Sequence, residues 1–354
     1  MCRASGLGLV LWLFVGCGSE EGLSPTSDIP VITTAPQDST AAPQDSTTPA
    51  DSLLAPVDST APTDTTTSTD SIPVISTLGG STAPGIVFGS VQMLPSAFNA
   101  VHTGTLMGGQ IDTTNAVSLL KATQAKGGRM VIKMCKGRDD FVKNADGTFS
   151  FTKWKALVDR FRKVNLAPFI SDGTILGHYL IDEPHRTARW GGKIIPQATL
   201  EAMAKYSKSI WPEMTTFVRV VPSWLETAPV TYVHLDAAWL QYEAWRGDVT
   251  KVLTAEVAAA KRKGLGLAVG LNLLDGGNGT SRIPGWTRGK YAMSASELRN
   301  YGTVLLNNSY PGSYSCAYYN WMWDSAYYGR TDIKAALTDL ATKARNHAKT
   351  SCRQ

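Results

Sequence analysis

Short apolar runs alternate with amphipathic segments along residues 85–354, and this alternation constrains the fold more than any other feature of the sequence. Eight runs have the length and composition of β-strands: 85–93, 129–135, 166–171, 177–182, 215–221, 237–242, 267–273 and 317–323. Six segments have helical periodicity: 113–126, 151–164, 196–211, 249–263, 294–306 and 332–349. Eight strands with helices mostly between them predict an α/β fold of the (β/α)8 TIM-barrel type.

One link between predicted strands departs from this pattern. Only residues 172–176 separate the third predicted strand from the fourth, whereas parallel neighbours normally need a crossover of a dozen or more residues. Either the third strand is misplaced or its helix is lost. A doubly wound sheet is the competing architecture, but the sequence contains no Gly-x-Gly-x-x-Gly turn or phosphate-binding loop that would favour it.

The sequence divides into three parts: residues 1–17, 18–84 and 85–354. Residues 7–15 form an apolar run that is too short to span a bilayer, as in the core of a signal peptide. The run ends in Phe-Val-Gly followed by Cys17, which resembles the bacterial lipobox. The resemblance implies a lipoprotein that is exported and anchored in a membrane of the cell envelope, at the outer membrane or cell surface, through lipid on Cys17. An ordinary secretory signal is the alternative.

Residues 18–84 are rich in Thr, Ser, Pro, Asp and Ala and contain the degenerate repeat Ala-Pro-Gln-Asp-Ser-Thr. Such a segment cannot bury enough apolar surface to offset the entropy lost on ordering, so we predict a disordered linker. It contains nine acidic residues and no Lys or Arg, which leaves residues 85–354 with 33 basic and 20 acidic residues. A net charge of +13 therefore belongs to the predicted barrel.

The clearest chemical motif is Gly-His-Tyr-Leu-Ile-Asp-Glu-Pro at residues 177–184, an apolar strand that ends in Asp182 and Glu183. Catalytic groups of (β/α)8 enzymes lie at the carboxyl ends of the strands. The segment resembles the fourth strand of (β/α)8 glycoside hydrolases, in which an acid/base Glu commonly follows Asn or Asp and precedes Pro. The resemblance implies a glycoside hydrolase in which Glu183 is the general acid/base.

Hydrolysis of a glycosidic bond usually requires a second carboxylate. Three predicted strand ends could supply it: Glu243 follows the sixth strand, Asp275 the seventh and Asp324 the eighth. Glu243 is preferred, followed by Asp275. The large retaining clan of these enzymes has a nucleophilic Glu after the seventh strand, where this sequence has Asn272 and Asp275. Asp172 is a further option, although its Ser-Asp-Gly-Thr context favours a turn.

Chitinase-type enzymes provide a second, partial resemblance. They have a Tyr beside an acidic or amide residue after strand six and a Trp after strand eight, and they use the acetamido group of the substrate as nucleophile. Tyr242 with Glu243, and Trp321 or Trp323, fit that layout, but the Asp-x-x-Asp-x-Asp-x-Glu signature is absent. A non-catalytic carbohydrate-binding or cell-wall-interacting lipoprotein on the same fold is the alternative function.

Several residues near predicted strand ends are candidates for contact with a sugar, because aromatic faces stack on pyranose rings and polar groups fix their orientation. The predicted substrate-binding residues are Asp182, Arg219, Trp224, Tyr242, Trp245, Asn272, Asn320, Trp321 and Trp323. Arg219 lies inside an apolar strand, where a charge is costly unless it is paired, so we expect it to contact Asp182 or Glu183.

The remaining expectations concern metals, cysteines and partners. No His or Cys spacing indicates a metal site, and no cofactor is expected. Cys316 begins the last predicted strand and Cys352 follows the last helix, so a disulfide between them is expected in an oxidising compartment, with Cys135 free. We expect a monomer that binds carbohydrate, and the positive charge makes an anionic glycan the first expectation. Nucleic-acid binding is not expected, because the basic residues are dispersed.

Overall fold

The structure is a computed structural model that describes residues 85–353. Its eight strands are β1 (Val87–Val91), β2 (Gly104–Met107), β3 (Arg129–Ile132), β4 (Ile175–Asp182), β5 (Thr216–Arg219), β6 (Ala237–Tyr242), β7 (Gly266–Leu271) and β8 (Ser315–Asn320). Each strand pairs in parallel with the next, and β8 pairs with β1 to close the barrel. The predicted eight-stranded parallel barrel is confirmed. The predicted signal peptide, Cys17 and the predicted linker lie outside the described residues.

Helices connect the strands. They are α1 (Ala116–Ala125), α2 (Phe151–Asp159), α3 (Ala167–Ser171), α4 (Gln197–Ile210), α5 (Pro222–Glu226), α6 (Val249–Lys263), α7 (Ala295–Leu305), α8 (Ser325–Gly329) and α9 (Thr331–Asn346). Local sequence sets several of their ends. Ser294 and Glu297 form a capping box at the start of α7, and Gly264, with φ of +64°, ends α6. Within residues 85–353, no helix has the length and apolar character needed to cross a membrane.

One predicted strand was wrong, and one strand of the barrel was not predicted. Residues 166–171 were predicted as the third strand, but they contain α3, in which Pro168 occupies the first turn and Phe169 and Ile170 are buried. The strand that the prediction missed is β2, which has only four residues and begins with Gly104. A Cβ atom on Gly89 of β1 would lie 1.8 Å from the Gly104 carbonyl oxygen, so β1 and β2 approach too closely for larger side chains. The two errors compensate, and β4 to β8 keep their predicted order.

The barrel interior is filled by side chains rather than open. Tyr179, Phe217, Trp239 and Tyr319 belong to one buried cluster inside the barrel, so any cavity at the carboxyl ends of the strands has a floor. At the opposite end, Cys316 and Cys352 are joined by a disulfide with a Cα–Cα distance of 5.1 Å. Among the described cysteines, Cys135 is free and buried.

Candidate active site

A cavity of about 500 Å³ opens at the carboxyl ends of β4 to β8. It is lined by Asp182, Glu183, Arg186, Arg189, Arg219, Gln241, Glu243, Trp245, Asn272, Asp275, Thr287, Lys290 and Trp321. A larger groove of about 750 Å³ lies between α7 and α9, but its lining combines an Arg299–Asp339 ion pair with mostly neutral side chains. The strand-end cavity is the candidate site because it contains several carboxylates at the end of a barrel where catalytic groups lie.

The backbone of Glu183 has an unusual conformation. Its φ is +43°, in the left-handed region that costs a non-glycine residue of order 1 kcal/mol. Two hydrogen bonds hold it there: the Glu183 N–H donates to the Arg219 carbonyl at 3.1 Å, and Trp190 Nε1 donates to the Glu183 carbonyl at 3.0 Å. Such conformations cluster at functional sites, which adds to the case for this strand end.

The side chain of Glu183 lies among three arginines. Its Oε1 is 3.1 Å from Arg186 Nε and 2.8 Å from Arg219 Nη2, and its Oε2 is 2.8 Å from Arg189 Nη1. The side chain is 13% exposed, so these ion pairs are only partly screened by water. Both carboxylate oxygens of Glu183 are therefore engaged by cations, which does not favour the proton-donor role predicted for this residue.

Asp182 is buried more deeply and is fully engaged. It pairs with Arg219 Nε and with Arg189 Nη2, the latter at 2.9 Å, and it accepts a hydrogen bond of 2.8 Å from the Tyr179 hydroxyl. Burial acts to raise the pKa of Asp182, but the charges of Arg219 and Arg189 outweigh it and hold the pKa well below its usual value. The ion pairs that the sequence predicts for Arg219 are present, and Asp182 serves as a fixed counter-ion.

The arginines extend this network in two directions. Arg189 Nε also pairs with Asp139, which lies 3.6 Å from Lys133 Nζ at the end of β3. The Arg219 guanidinium donates to Gln241 Oε1 on β6 and lies 5.1 Å from the ring centroid of Trp321, after β8. The peptide bond that follows Trp321 is cis. We call the set of Asp182, Glu183, Arg186, Arg189 and Arg219 the ion-pair wall of the cavity.

Glu243 lies in different surroundings, after β6. Its Oε1 accepts a 2.8 Å hydrogen bond from Asn272 Nδ2, and its Oε2 accepts one from Trp245 Nε1. Both donors are neutral. Trp245 is 68% exposed, and the Arg246 guanidinium lies over its ring, 4.9 Å from the centroid. We call Glu243, Trp245 and Asn272 the neutral wall.

Asp275 has a positioning role in the loop that follows β7. Its Oδ1 accepts from the Thr287 N–H at 2.9 Å and its Oδ2 accepts from the Thr287 hydroxyl at 2.8 Å. These bonds fix the part of the loop that contributes Lys290 to the cavity lining. Both oxygens of Asp275 are thus bonded to Thr287 within the same loop.

Four of the predicted substrate-binding residues do not line this cavity. Tyr242 packs outward on Tyr301 at 4.9 Å between ring centroids, because side chains alternate along β6 and Gln241 takes the inward position. Asn320 is buried, and its Oδ1 accepts from the Leu271 N–H. Trp323 packs on Tyr328, with 4.5 Å between ring centroids. Trp224 lies half-buried on α5, with its ring near His185.

The cavity also contains residues that the sequence reasoning missed: Arg186, Arg189, Gln241, Thr287 and Lys290. Alternation along β6 contained a usable signal for Gln241, since an inward Trp239 places Gln241 on the same face. Arg186 and Arg189 follow Asp182-Glu183-Pro184 closely, but only the turn at Thr187–Arg189 brings them back to the carboxylates. Within residues 85–353, no group of three or more His, Cys, Asp or Glu side chains could hold a metal ion.

Comparisons with known proteins bear on the fold. No protein-family model matches the chain, and no curated protein matches it. Among solved structures, a β-glucanase from Saccharophagus degradans in complex with cellotetraose has a TM-score of 0.50 at 10% identity, over 74% of this chain and 88% of that chain. A glycoside hydrolase family 5 mannosidase from Rhizomucor miehei has a TM-score of 0.45 at 9% identity, over 75% and 94% of the two chains. The likeness is one of fold. These neighbours are glycoside hydrolases, and what the chain shares with the β-glucanase is the barrel.

Proposed function

We propose that the barrel hydrolyses glycosidic bonds in a polysaccharide or oligosaccharide, with Glu183 and Glu243 as its two carboxylates. One observation supports this most: a single cavity at the carboxyl end of the barrel contains two strand-end carboxylates in contrasting surroundings. Glycoside hydrolysis usually requires two carboxyl groups with different protonation states on either side of the bond that breaks.

The surroundings suggest which group takes which role. The negative charge of Glu183 is matched by three guanidinium groups, so a proton there would compete with Arg186, Arg189 and Arg219. Among residues 85–353, the carboxylate of Glu243 accepts from the neutral donors of Asn272 and Trp245. We therefore assign the charged role, as nucleophile or base, to Glu183 and the proton-donor role to Glu243. The sequence resemblance, in contrast, implies that Glu183 is the general acid/base.

Aromatic side chains of the cavity support a carbohydrate ligand. Trp321 and Trp245 both line it, and the exposed ring of Trp245 lies beside Glu243. Flat rings stack on the apolar faces of sugars while nearby polar groups bind the hydroxyls. In this proposal a sugar ring on Trp245 would lie next to the proposed proton donor.

The test is to assay wild type, Glu183→Gln and Glu243→Gln against a panel of polysaccharides, measuring the release of reducing ends. We expect each variant to lose at least about 100-fold in kcat, because each removes a group that acts in the transition state. Glu226→Gln is the matched control, since Glu226 is also ion-paired with an arginine but lies outside the cavity. Hydrolysis by Glu183→Gln and Glu243→Gln at the wild-type rate would refute the assignment.

A second function, non-catalytic binding of carbohydrate, is favoured by the three ion pairs of Glu183, which engage both of its carboxylate oxygens. Calorimetry and product analysis on the same glycans separate the two functions. Binding without release of reducing ends by the wild type, at every pH tested, would favour the binding protein.

We also propose that Cys17 carries a lipid that anchors the barrel at the cell envelope, exported to the outer membrane or cell surface. The support is the lipobox-like sequence before Cys17. Metabolic labelling with a tagged fatty acid should label the wild type and not Cys17→Ser. Equal labelling of both, or release of unlabelled wild type into the medium, would contradict the anchor.

A further inference from the structure

We propose that the cavity recognises a negatively charged substituent of its glycan, either the carboxylate of a uronic acid or a sulfate ester. This deepens the proposed function, since it takes from it only that the ligand is a glycan. Some hydrogen-bonding groups of the cavity are used within the protein, and others are left free for a ligand.

The carboxylates of the cavity lining already have partners for their oxygens. Asp182 and Glu183 are paired with arginines, Asp275 accepts twice from Thr287, and Glu243 accepts from Asn272 and Trp245. These groups offer few free acceptors to a ligand that approaches with donors or positive charge.

The free groups are cationic or neutral donors. Among residues 85–353, the Arg186 side chain has one ion pair, from its Nε to Glu183, and it is 57% exposed. Lys290 is exposed, and its ammonium has no hydrogen bond or ion pair with the described residues. The guanidinium nitrogens of Arg186 beyond Nε and the ammonium of Lys290 are therefore available to a ligand.

A buried amide adds an independent indication. Gln241 is 8% exposed, and its Oε1 must face Arg219, because a guanidinium can only donate. The Nε2 of Gln241 is left buried at the cavity without a hydrogen-bond partner among the described residues. A buried donor without a partner is costly, and a ligand oxygen would satisfy it.

These donors together fit an acceptor-rich anion. Carboxylates and sulfates accept several hydrogen bonds and are attracted to arginine and lysine, and charge-assisted hydrogen bonds are about twice as strong as neutral ones. The net charge of +13 on residues 85–354 adds a long-range attraction for the same class of ligand.

The experiment measures binding by calorimetry at low salt with three probes of matched length: oligogalacturonate, a sulfated galactan oligomer and neutral cellotetraose. We expect the wild type to bind one of the two anionic probes at least about tenfold more tightly than cellotetraose. The probe that binds better identifies the substituent as carboxylate or sulfate. Equal or tighter binding of cellotetraose would overturn the proposal.

A charge-reversal variant tests whether the preference for anionic probes arises in the cavity. Lys290→Glu should weaken binding of the preferred anionic probe by about tenfold, and the difference should shrink at about 1 M salt, where the Debye length falls to ~3 Å. Arg288→Glu is the matched control, since Arg288 is exposed on the same loop but does not line the cavity. Equal losses in the two variants would attribute the preference to general charge and overturn the site.

Failure of this inference is distinguishable from failure of the proposed function. Release of reducing ends from a neutral glycan only, with loss of that activity in Glu183→Gln, would leave the hydrolase intact and remove the anionic substituent. Tight binding of an anionic probe that depends on Lys290 but yields no product would leave the recognition intact and remove the hydrolase.

Discussion

The two walls of the cavity each hold a carboxylate at a strand end, but the partners of the carboxylate differ. On the ion-pair wall, Asp182 and Glu183 are surrounded by guanidinium groups, with Arg219 bonded to both. On the neutral wall, Glu243 is held by an amide and an indole. The first wall thus surrounds its carboxylates with cations, of which Arg219 is buried, whereas the second holds Glu243 with neutral donors.

The largest effect should come from breaking the ion-pair wall. Arg219→Leu removes the shared cation and leaves two carboxylates short of a partner, so we expect the free energy of unfolding to fall by about 3–5 kcal/mol, as for other buried pairs broken on one side. Urea denaturation measures the change. Arg262→Leu, which breaks the exposed pair with Glu226, should have no measurable effect. A loss for Arg219→Leu no greater than that of the control would show that the wall contributes nothing to stability.

The ion-pair wall and the outer face of β4 should lose their contributions to stability in different pH ranges. Burial lowers the pKa of His178, on β4, to about 3, so the unfolded chain takes up a proton first and stability falls as the pH drops below about 6.5. This term amounts to about 2 kcal/mol at pH 5. Asp182 has the depressed pKa of a paired carboxylate, and its contribution is lost only as the pH falls below its ordinary value of 3.8.

Unfolding free energies measured from pH 7 to pH 3 test this separation. His178→Gln should flatten the curve below about pH 6.5, and the part of the loss below about pH 4 that comes from Asp182 should remain. Some slope should remain in the upper part, because burial also lowers the pKa of His102 to about 4. An unchanged curve for His178→Gln would contradict the account.

The neutral wall should respond to an added charge. Asn272→Asp places a carboxylate where Glu243 now has an amide donor at 2.8 Å. Like charges at this distance disfavour joint ionisation, so the basic limb of the pH–activity profile should move up by about one pH unit. Asn99→Asp is the control, an exposed residue whose Oδ1 caps a turn outside the cavity. An unshifted profile would contradict the proton-donor role of Glu243.

The smallest effect is expected at Asp275, which contributes to neither wall. Asp275→Asn keeps one acceptor for Thr287 and loses the other, at a cost of about 1 kcal/mol. Hydrogen exchange in residues 276–293 should become faster, while activity changes less than in Asn272→Asp. A loss of activity as large as that of Glu183→Gln would restore Asp275 as a catalytic carboxylate.

The barrel could be predicted because strands that are buried on both faces have largely apolar sequences. Residues 237–242 and 267–273 are examples. It did not predict β2, whose four residues are too few to stand out, and the apolar residues around α3 were indistinguishable from a buried strand. Helix α6 was predicted residue for residue from its periodicity, and in the structure Asp248 and Gly264 cap its ends.

The position of Glu183 was predictable, but its surroundings were not. An apolar strand that ends in two acids places them at the mouth of a barrel. Whether those acids meet solvent or cations depends on the turn at Thr187–Arg189, which folds Arg189 back over three carboxylates. Nothing in the spacing of Arg186 and Arg189 distinguishes this arrangement from an exposed loop.

The disulfide at the far end of the barrel has a consequence for proteolysis. Cys316 lies in β8, the strand that closes the barrel against β1, and Cys352 lies after α9, 36 residues later. A protease that cuts the backbone once between these cysteines leaves the two pieces covalently joined. A cut after β8 leaves Cys316 and the closing strand in the larger piece, so the bond would keep the C-terminal piece, which contains Cys352, attached to that strand until a reductant reached it.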